Sequence, residues 1–275
     1  MVRWIGRWVL LVVVSGSVAF GQTVEQNIAA RLQHGPFLLL RGMYAGDKLS
    51  FDAQGNLIGP ANRLPFSLSA VVIDKIELSE SELTIQGKHA MLEFEPTDGV
   101  GQPRKTRVVG FSKKLHPDLT ITIARNPAHP EALDSALQQI FSEGFDDALV
   151  NAVPEFWRPW LRHQLDPGAA VDAAPSGVAK FDRKAGISAP VLRYAPDPPR
   201  FSEAAKEAHV GGVCVVGLVI NAQGRPQESW IVQPMGEGLD EQAIVAVNQY
   251  RFKPAMQHGQ PVPVKVNIEV HFRIR

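Results

Sequence analysis

Cysteine is nearly absent from this chain of 275 residues, and the single one, Cys214, has no partner for a disulfide within the chain. Packing and hydrogen bonds must therefore hold the core together. Cys214 lies in an apolar run at 213–220, which predicts a buried thiol that behaves as a small hydrophobic side chain rather than a nucleophile.

Net charge is absent as well, because 28 basic side chains balance 28 acidic ones. A neutral chain has no bulk attraction to polyanions, so neither nucleic acid nor an anionic membrane surface is an expected partner. The apolar fraction of 45% and the charged fraction of 20% are typical of a soluble globular protein.

The sequence motifs of common enzyme classes are missing too. The chain contains no G-x-S-x-G, no H-E-x-x-H, no G-x-x-x-x-G-K and no cysteine pair, and its eight histidines are scattered singly. We therefore predict no catalytic residues, no metal and no cofactor. A hydrolytic enzyme within 22–165 is a disfavoured alternative, because no pair of nucleophile and base is recognisable there.

The first 21 residues have the pattern of a signal peptide: Arg3 and Arg7 precede an apolar run at 8–20, and cleavage is predicted before Gln22. This predicts export to the periplasm. The alternative is an uncleaved anchor in the inner membrane. The apolar run would span roughly 20 Å, which is shorter than the hydrocarbon core of about 30 Å, so cleavage is favoured.

The region 22–165 is predicted to be a β-rich domain of unknown function with a helical cap at its C-terminal end. Short apolar runs bounded by turn residues predict strands at 47–51, 57–58, 66–78, 83–95, 107–112 and 119–124. The strand at 83–95 is expected to break near Gly87. Runs so close in sequence favour an antiparallel β-meander.

A helical period follows at 130–141, and a second helical stretch at 146–165 is interrupted by Pro154 and Pro159. The second stretch carries Phe156, Trp157, Trp160 and Leu161, which are predicted to close the core of this first domain rather than to lie in a membrane interface. The next segment, 166–188, is rich in Ala, Gly, Pro and Ser and has no apolar period, so it is predicted to be a linker.

The C-terminal region, 189–275, is predicted to be a second, smaller α+β domain. Its pattern is a helix at 201–208, strands at 213–220 and 227–233, a helix at 239–250 and a final strand at 262–275. This helix-strand-strand-helix-strand order predicts a three-stranded antiparallel sheet with helices on one face. The final strand alternates strictly between apolar and polar residues.

This region resembles the TonB C-terminal domain family in the order and spacing of several motifs together. They are Gly-Gly before a Val-rich strand, Asn-Ala-Gln-Gly at a hairpin, Leu-Asp opening the second helix and Arg-Phe-Lys-Pro closing it. The residues that match the family motif are Gly212, Gly224, Leu239, Asp240, Ala243, Tyr250, Phe252 and Pro254. Two positions depart from it: Phe201-Ser202 replaces a frequent Tyr-Pro, and Tyr250 replaces a frequent Trp.

The resemblance implies a site at the edge of the sheet. Domains of this family bind a short extended segment of an outer-membrane TonB-dependent receptor by strand addition, which suits the unpaired backbone groups of an edge strand. By position, the matching partner-binding edge is Val264, Lys265, Val266, Asn267, Ile268, Glu269, Val270 and His271. Lys265, Asn267, Glu269 and His271 are expected to tune the affinity.

The resemblance therefore implies a non-enzymatic periplasmic protein that takes part in outer-membrane transport. Energy transducers of the family usually have an N-terminal membrane helix that meets an inner-membrane motor, followed by a long proline-rich linker. Neither feature is evident, so contact with inner-membrane motor proteins is not predicted. The alternative is a periplasmic scaffold that forms a homodimer through the same edge, without an energy-transducing role.

Overall fold

The computed structural model describes residues 27–28, 30–32, 37–60, 62–64, 67–94, 106–110, 118–196, 198–207 and 209–274. The predicted signal peptide lies outside these residues. The described chain forms two compact units. The N-terminal unit contains the described residues of 27–64 with Leu68–Met91 and Val108–Gly144, and the C-terminal unit contains those of 65–67, 92–107 and 145–275. None of the helices in the described ranges has the length and hydropathy of a membrane span.

An eight-stranded sheet makes up most of the N-terminal unit. Its strands are β1 Leu38–Leu40, β2 Lys48–Phe51, β3 Leu57–Ile58, β4 Ala70–Leu78, β5 Glu82–Phe94, β6 Thr106–Gly110, β7 Asp118–Ala124 and β8 Phe141–Glu143. Their order is β3-β2-β7-β5-β4-β1-β8, with β6 also paired to β5.

The prediction of an antiparallel meander is wrong for this sheet, because β2 and β7 are parallel neighbours and the order is not sequential. The β4–β5 hairpin is antiparallel, as its short turn requires. Strands β2 and β7 are far apart in the sequence, so the chain between them is long enough for a parallel crossover. The short turns between consecutive strands, on which the prediction of a meander was based, do not restrict this pair. Strand β5 is continuous at Gly87, where a break was expected. The β4–β5 pairing is irregular at this point, but the extra residue lies on β4, between Ile73 and Lys75, which pair with Gly87 and Gln86.

Alternating burial builds the core of the N-terminal unit. Leu119, Ile121 and Ile123 of β7 are buried, and the residues between them are not. Helix α1, Ala132–Ile140, contributes the buried stripe Leu133, Ala136, Leu137 and Ile140. The helical period predicted from Pro130 is therefore present, with a start at Ala132.

The aromatic helical stretch belongs to the C-terminal unit and not to the first domain. It forms α2 Asp147–Ala152, a 3-10 helix Glu155–Trp157 and α3 Arg158–Leu165. Trp160 meets Phe94, Phe145 and Trp157 with ring centroids 5.0, 5.5 and 5.7 Å apart. The predicted cap of the N-terminal core is therefore wrong. The aromatic composition correctly predicted that these side chains would be buried. It did not indicate whether they would pack in the N-terminal or in the C-terminal unit.

The remaining elements form the rest of the C-terminal unit. They are β9 Ala179–Lys180, β10 Val191–Tyr194, α4 Glu203–Glu207, β11 Gly212–Ile220, β12 Pro226–Gln233, α5 Leu239–Val247, β13 Arg251–Lys253, β14 Ala255–Gln257, β15 Gln260–Val262 and β16 Val264–Phe272. The main sheet has the order β12-β11-β16-β9, and β10 pairs with β13 and β14 with β15.

Two predictions about this sheet need correction. The sheet has a fourth strand, β9, which pairs in parallel with β16. The final strand does not begin at Val262, because this residue ends the β14–β15 hairpin and Pro263 separates it from β16. Proline has no N–H to donate to a ladder, so a boundary at this position is physically reasonable.

The segment 166–188 is not a linker, because it is part of the C-terminal unit. Val171, Ala174 and Val178 pack against a buried cluster of the main sheet. Small apolar residues without a helical or strand period can still cover an apolar surface, and composition alone does not reveal that surface.

Candidate functional site: the edge of strand β16

Strand β16 is paired along one side and almost unpaired along the other. It pairs with β11 over its whole length, from Val264 opposite Ile220 to Phe272 opposite Gly212. Its other side pairs with β9 only at Val264 and Lys265. No strand in the described part of the chain pairs with residues 266–272 on that side. We call this stretch the open edge.

The two faces of β16 differ as the alternation predicts. Val264, Val270 and Phe272 are buried, while Asn267, Glu269 and His271 are exposed. Val266 and Ile268 lie on the apolar face and are partly buried. The apolar face therefore anchors the strand, and the exposed polar face is available to contact a neighbouring chain.

The polar side chains on this face are partly paired with other side chains. The Lys265 ammonium forms an ion pair with Asp172, whose side chain is also partly buried. Further along the strand, His271 Nε2 lies 3.3 Å from Glu269 Oε2, and both side chains are largely exposed. An exposed pair of this kind adds little stability, so it remains free to exchange partners.

The tight turn of the β11–β12 hairpin contacts β13 through a backbone hydrogen bond. Gly224 has a φ of 75°, in the left-handed region, and its carbonyl accepts the Phe252 N–H at 2.8 Å. A Cβ at Gly224 would overlap the backbone carbonyl of Phe252. Two residues of the family motif are therefore in direct contact, and only glycine meets both requirements.

Asp240 is a buried carboxylate in the first turn of α5. It accepts the N–H of Met235 at 2.8 Å, the N–H of Gly236 at 2.7 Å and the Cys214 thiol at 3.2 Å. Burial, and to a lesser extent the nearby Glu241 carboxylate, raise its pKa from 3.8 to about 7, although the three hydrogen bonds act in the opposite direction. Asp240 thus ties β11 to the loop that precedes α5.

Glu241, the residue after Asp240, makes structural contacts that sequence reasoning missed. Its Oε1 accepts the Ser67 N–H at 2.7 Å and the Trp157 indole N–H at 3.1 Å. Burial raises the pKa of this carboxyl as well. An acidic residue in the first turn of a helix usually suggests only a favourable interaction with the helix dipole, so no sequence signal pointed to these partners.

The other motif residues support the sheet and do not form part of its open edge. Leu239 and Ala243 are fully buried on α5, which packs against β11, β12 and β16. The Tyr250 and Phe252 rings lie 6.2 Å apart, and burial raises the pKa of Tyr250. Pro254 lies between β13 and β14.

Within the described ranges, no group of three or more His, Cys, Asp or Glu side chains is placed to hold a metal ion. The candidate site is an exposed strand with a supporting core beneath it. Such an arrangement can bind an extended chain through backbone hydrogen bonds.

Comparison with known proteins identifies the same region. Residues 197–274 match the family model of the Gram-negative bacterial TonB protein C-terminal. Part of the chain is 28% identical over 109 residues to Protein TonB of Vibrio cholerae serotype O1. This match covers 39% of the chain and 42% of that relative, so the similarity extends over less than half of either protein. The resemblance predicted for the C-terminal third is confirmed.

Proposed function

We propose that the C-terminal third of the chain, which matches the TonB C-terminal family model over residues 197–274, binds extended segments of outer-membrane receptors by strand addition. The open edge at 266–272 is the observation that carries this proposal. The protein would act without catalysis, on the periplasmic side of the cell envelope, and would take part in outer-membrane transport.

The physical basis is the backbone of β16. An added strand gains main-chain hydrogen bonds, each worth about 1 kcal/mol net, from groups that water otherwise solvates. Asn267, Glu269 and His271 flank these groups with exposed polar side chains and would select among segments. The buried residues of the apolar face hold β16 in the sheet, so the edge is already formed before binding and the entropic cost of binding is lower.

The test uses the full chain and a panel of synthetic extended peptides copied from receptors. We expect backbone amide signals of residues 266–272 to shift in NMR spectra on addition of a peptide, and Asn267→Pro to weaken binding at least about tenfold because proline disrupts the edge. The matched control is Glu228→Pro in β12, which forms the opposite end of the same sheet and is also exposed. This control should leave binding unchanged. Unshifted amide signals with every peptide would contradict the proposal.

Sedimentation distinguishes the alternative of a scaffold that self-associates. A concentration-dependent dimer of the wild-type chain that is lost in Asn267→Pro would favour pairing of two copies through the open edge. A monomer that binds peptides would favour the receptor role.

A further inference from the structure

Residues 169–187, which we call the strap, cross the sheet that carries the open edge. Their two ends are fixed by hydrogen bonds. The His163 ring N–H donates to the Ala169 carbonyl at 2.7 Å, and just beyond the other end the Ser188 N–H donates to the Met256 carbonyl at 2.9 Å. Ile187 also bridges to Gln257. The strap is therefore held between α3 and the β14–β15 hairpin.

The middle of the strap rests on one face of the sheet. Val171, Ala174 and Val178 pack against a cluster formed by Val215, Val219, Trp230 and Val232. The Trp230 indole N–H donates to the Val171 carbonyl at 3.1 Å. This is the face that also carries Lys265 and Asn267, because Lys265 lies opposite Val219 in the register.

Strand β9, which lies within the strap, occupies the start of the partner-binding edge. In β9, Ala179 lies opposite Val264, and Lys180 lies opposite Lys265. Asp172 of the strap pairs with the Lys265 ammonium on the same strand. Two of the eight residues assigned to the edge from the family pattern are thus already paired within the chain.

A cavity lies where the strap meets the open edge. A cavity of about 340 Å³ is lined by Asp172, Lys180, Trp230, Lys265, Val266 and Asn267. Lys180 is exposed, and Val171, Asp172, Ala174 and Val178 are only partly buried. Between residues 171 and 180 the strap therefore covers the sheet without the close packing of a core, and the small side chains there release little apolar surface when they leave. Ile187, at the end of the strap, is buried against Ala255 and Val264.

We propose that the strap is an internal competitor for the partner-binding edge. While β9 is in place, an incoming segment can pair only with the open edge, and it stops at the junction beside Lys180. When the strap leaves, Val264 and Lys265 become available and a longer segment can pair with the whole of β16. This inference rests on the proposed function, and it adds to that function a control on the length and affinity of the bound segment.

The first arm of the experiment releases the strap. Val178→Asp places a charge against the apolar cluster, whereas Ser176→Asp places the same charge at an exposed position two residues away. Calorimetry on the full chain measures the affinity for each peptide of the panel. We expect Val178→Asp to bind the peptides about tenfold more tightly than wild type does, because a tenfold change in affinity corresponds to the loss of one small apolar contact between the strap and the sheet. Ser176→Asp should bind like wild type.

The second arm locks the strap. Lys180 and Lys265 are register partners, and adjacent strands lie about 4.8 Å apart, so a double variant Lys180→Cys and Lys265→Cys can form a disulfide across β9 and β16. Cys214 is buried and stays outside this reaction. We expect the oxidised form to bind peptides more weakly than the reduced form of the same protein. If Val178→Asp prevents folding, this comparison of the oxidised and reduced forms is sufficient to test the proposal.

The outcomes separate the two proposals. Equal peptide affinity of the oxidised and reduced forms overturns the competition and leaves strand addition intact. Failure of every peptide to bind wild type, Val178→Asp and the reduced double variant overturns strand addition, and with it the competition that depends on it.

Discussion

At the scale of single residues, the motif positions work by fitting the backbone more than by offering chemistry. Gly224 combines a left-handed φ with close approach of the Phe252 backbone, and Asp240 satisfies two N–H groups of the loop before α5. The sequence pattern identified both positions. It did not identify their partners, because Phe252 and Cys214 are brought to them by the tertiary fold.

Replacement of Gly224 tests this interpretation. We expect Gly224→Ala to lower the free energy of unfolding by about 2 to 5 kcal/mol, since the left-handed backbone and the overlap with the Phe252 carbonyl both penalise a Cβ. Gly259→Ala is the control, because Gly259 has a similar φ of 81° and, apart from Gly259 and its two chain neighbours, no described residue has an atom within 4 Å of the position that its Cβ would take. It should cost only about 1 to 2 kcal/mol. Equal losses in chemical denaturation would show that overlap with Phe252 is unimportant.

At the scale of elements, the acidic first turn of helix α5 helps to fix the position of the helix. Asp240 accepts a hydrogen bond from the loop that precedes α5. Glu241 accepts one from Trp157 in the 3-10 helix and another from the backbone N–H of Ser67. Asp240 is fully buried and Glu241 is partly buried, and the N–H groups that contact these carboxylates need them as acceptors. The helix that supports β16 is thus fixed by polar contacts as well as by its apolar stripe.

Variants at Glu241 measure this polar contribution. Glu241→Ala leaves the donors of Ser67 and Trp157 without their acceptor, so we expect a loss of about 2 to 4 kcal/mol in the free energy of unfolding. Glu241→Gln retains an oxygen at Oε1, which accepts both hydrogen bonds, and should lose much less. Denaturation followed by tryptophan fluorescence compares the two. An alanine variant as stable as the glutamine variant would rule out this role.

At the scale of the whole molecule, the two units carry buried groups that respond oppositely to pH. In the N-terminal unit, burial lowers the pKa of His89 below 6.5, and its Nε2–H donates to the Gly46 carbonyl at 2.9 Å. In the C-terminal unit, burial raises the pKa of Asp240 from 3.8 to about 7. Folding therefore disfavours a proton on His89 and favours one on Asp240.

The signs follow from proton linkage. The contribution of Asp240 is fully present below pH 3.8 and is lost as the pH rises towards about 7, whereas that of His89 is present above pH 6.5 and is lost as the pH falls below it. Between about pH 7.5 and about pH 5 we expect hydrogen exchange, corrected for its intrinsic rate, to show a more stable C-terminal unit and a less stable N-terminal unit. Asp240→Asn and His89→Gln should each remove the corresponding change, and identical pH responses of both units would refute the assignment.

Some features of this protein could be predicted from local sequence patterns, and others depend on tertiary contacts. The alternation of β16, the stripe of α1 and the buried Cys214 could be predicted from the sequence, because the period of side chains along an element depends only on residues a few positions apart. The motif residues of the TonB-like third could be identified in the same way.

The tertiary structure alone decided which surfaces meet. It placed β2 beside β7, moved the aromatic helices into the C-terminal unit, laid the strap across the sheet and left residues 266–272 of β16 as the open edge. The physical reason is that strand pairing and apolar packing join residues far apart in the chain. Composition and period show that such residues will be buried or paired, but the partner is selected by the competition among all available surfaces.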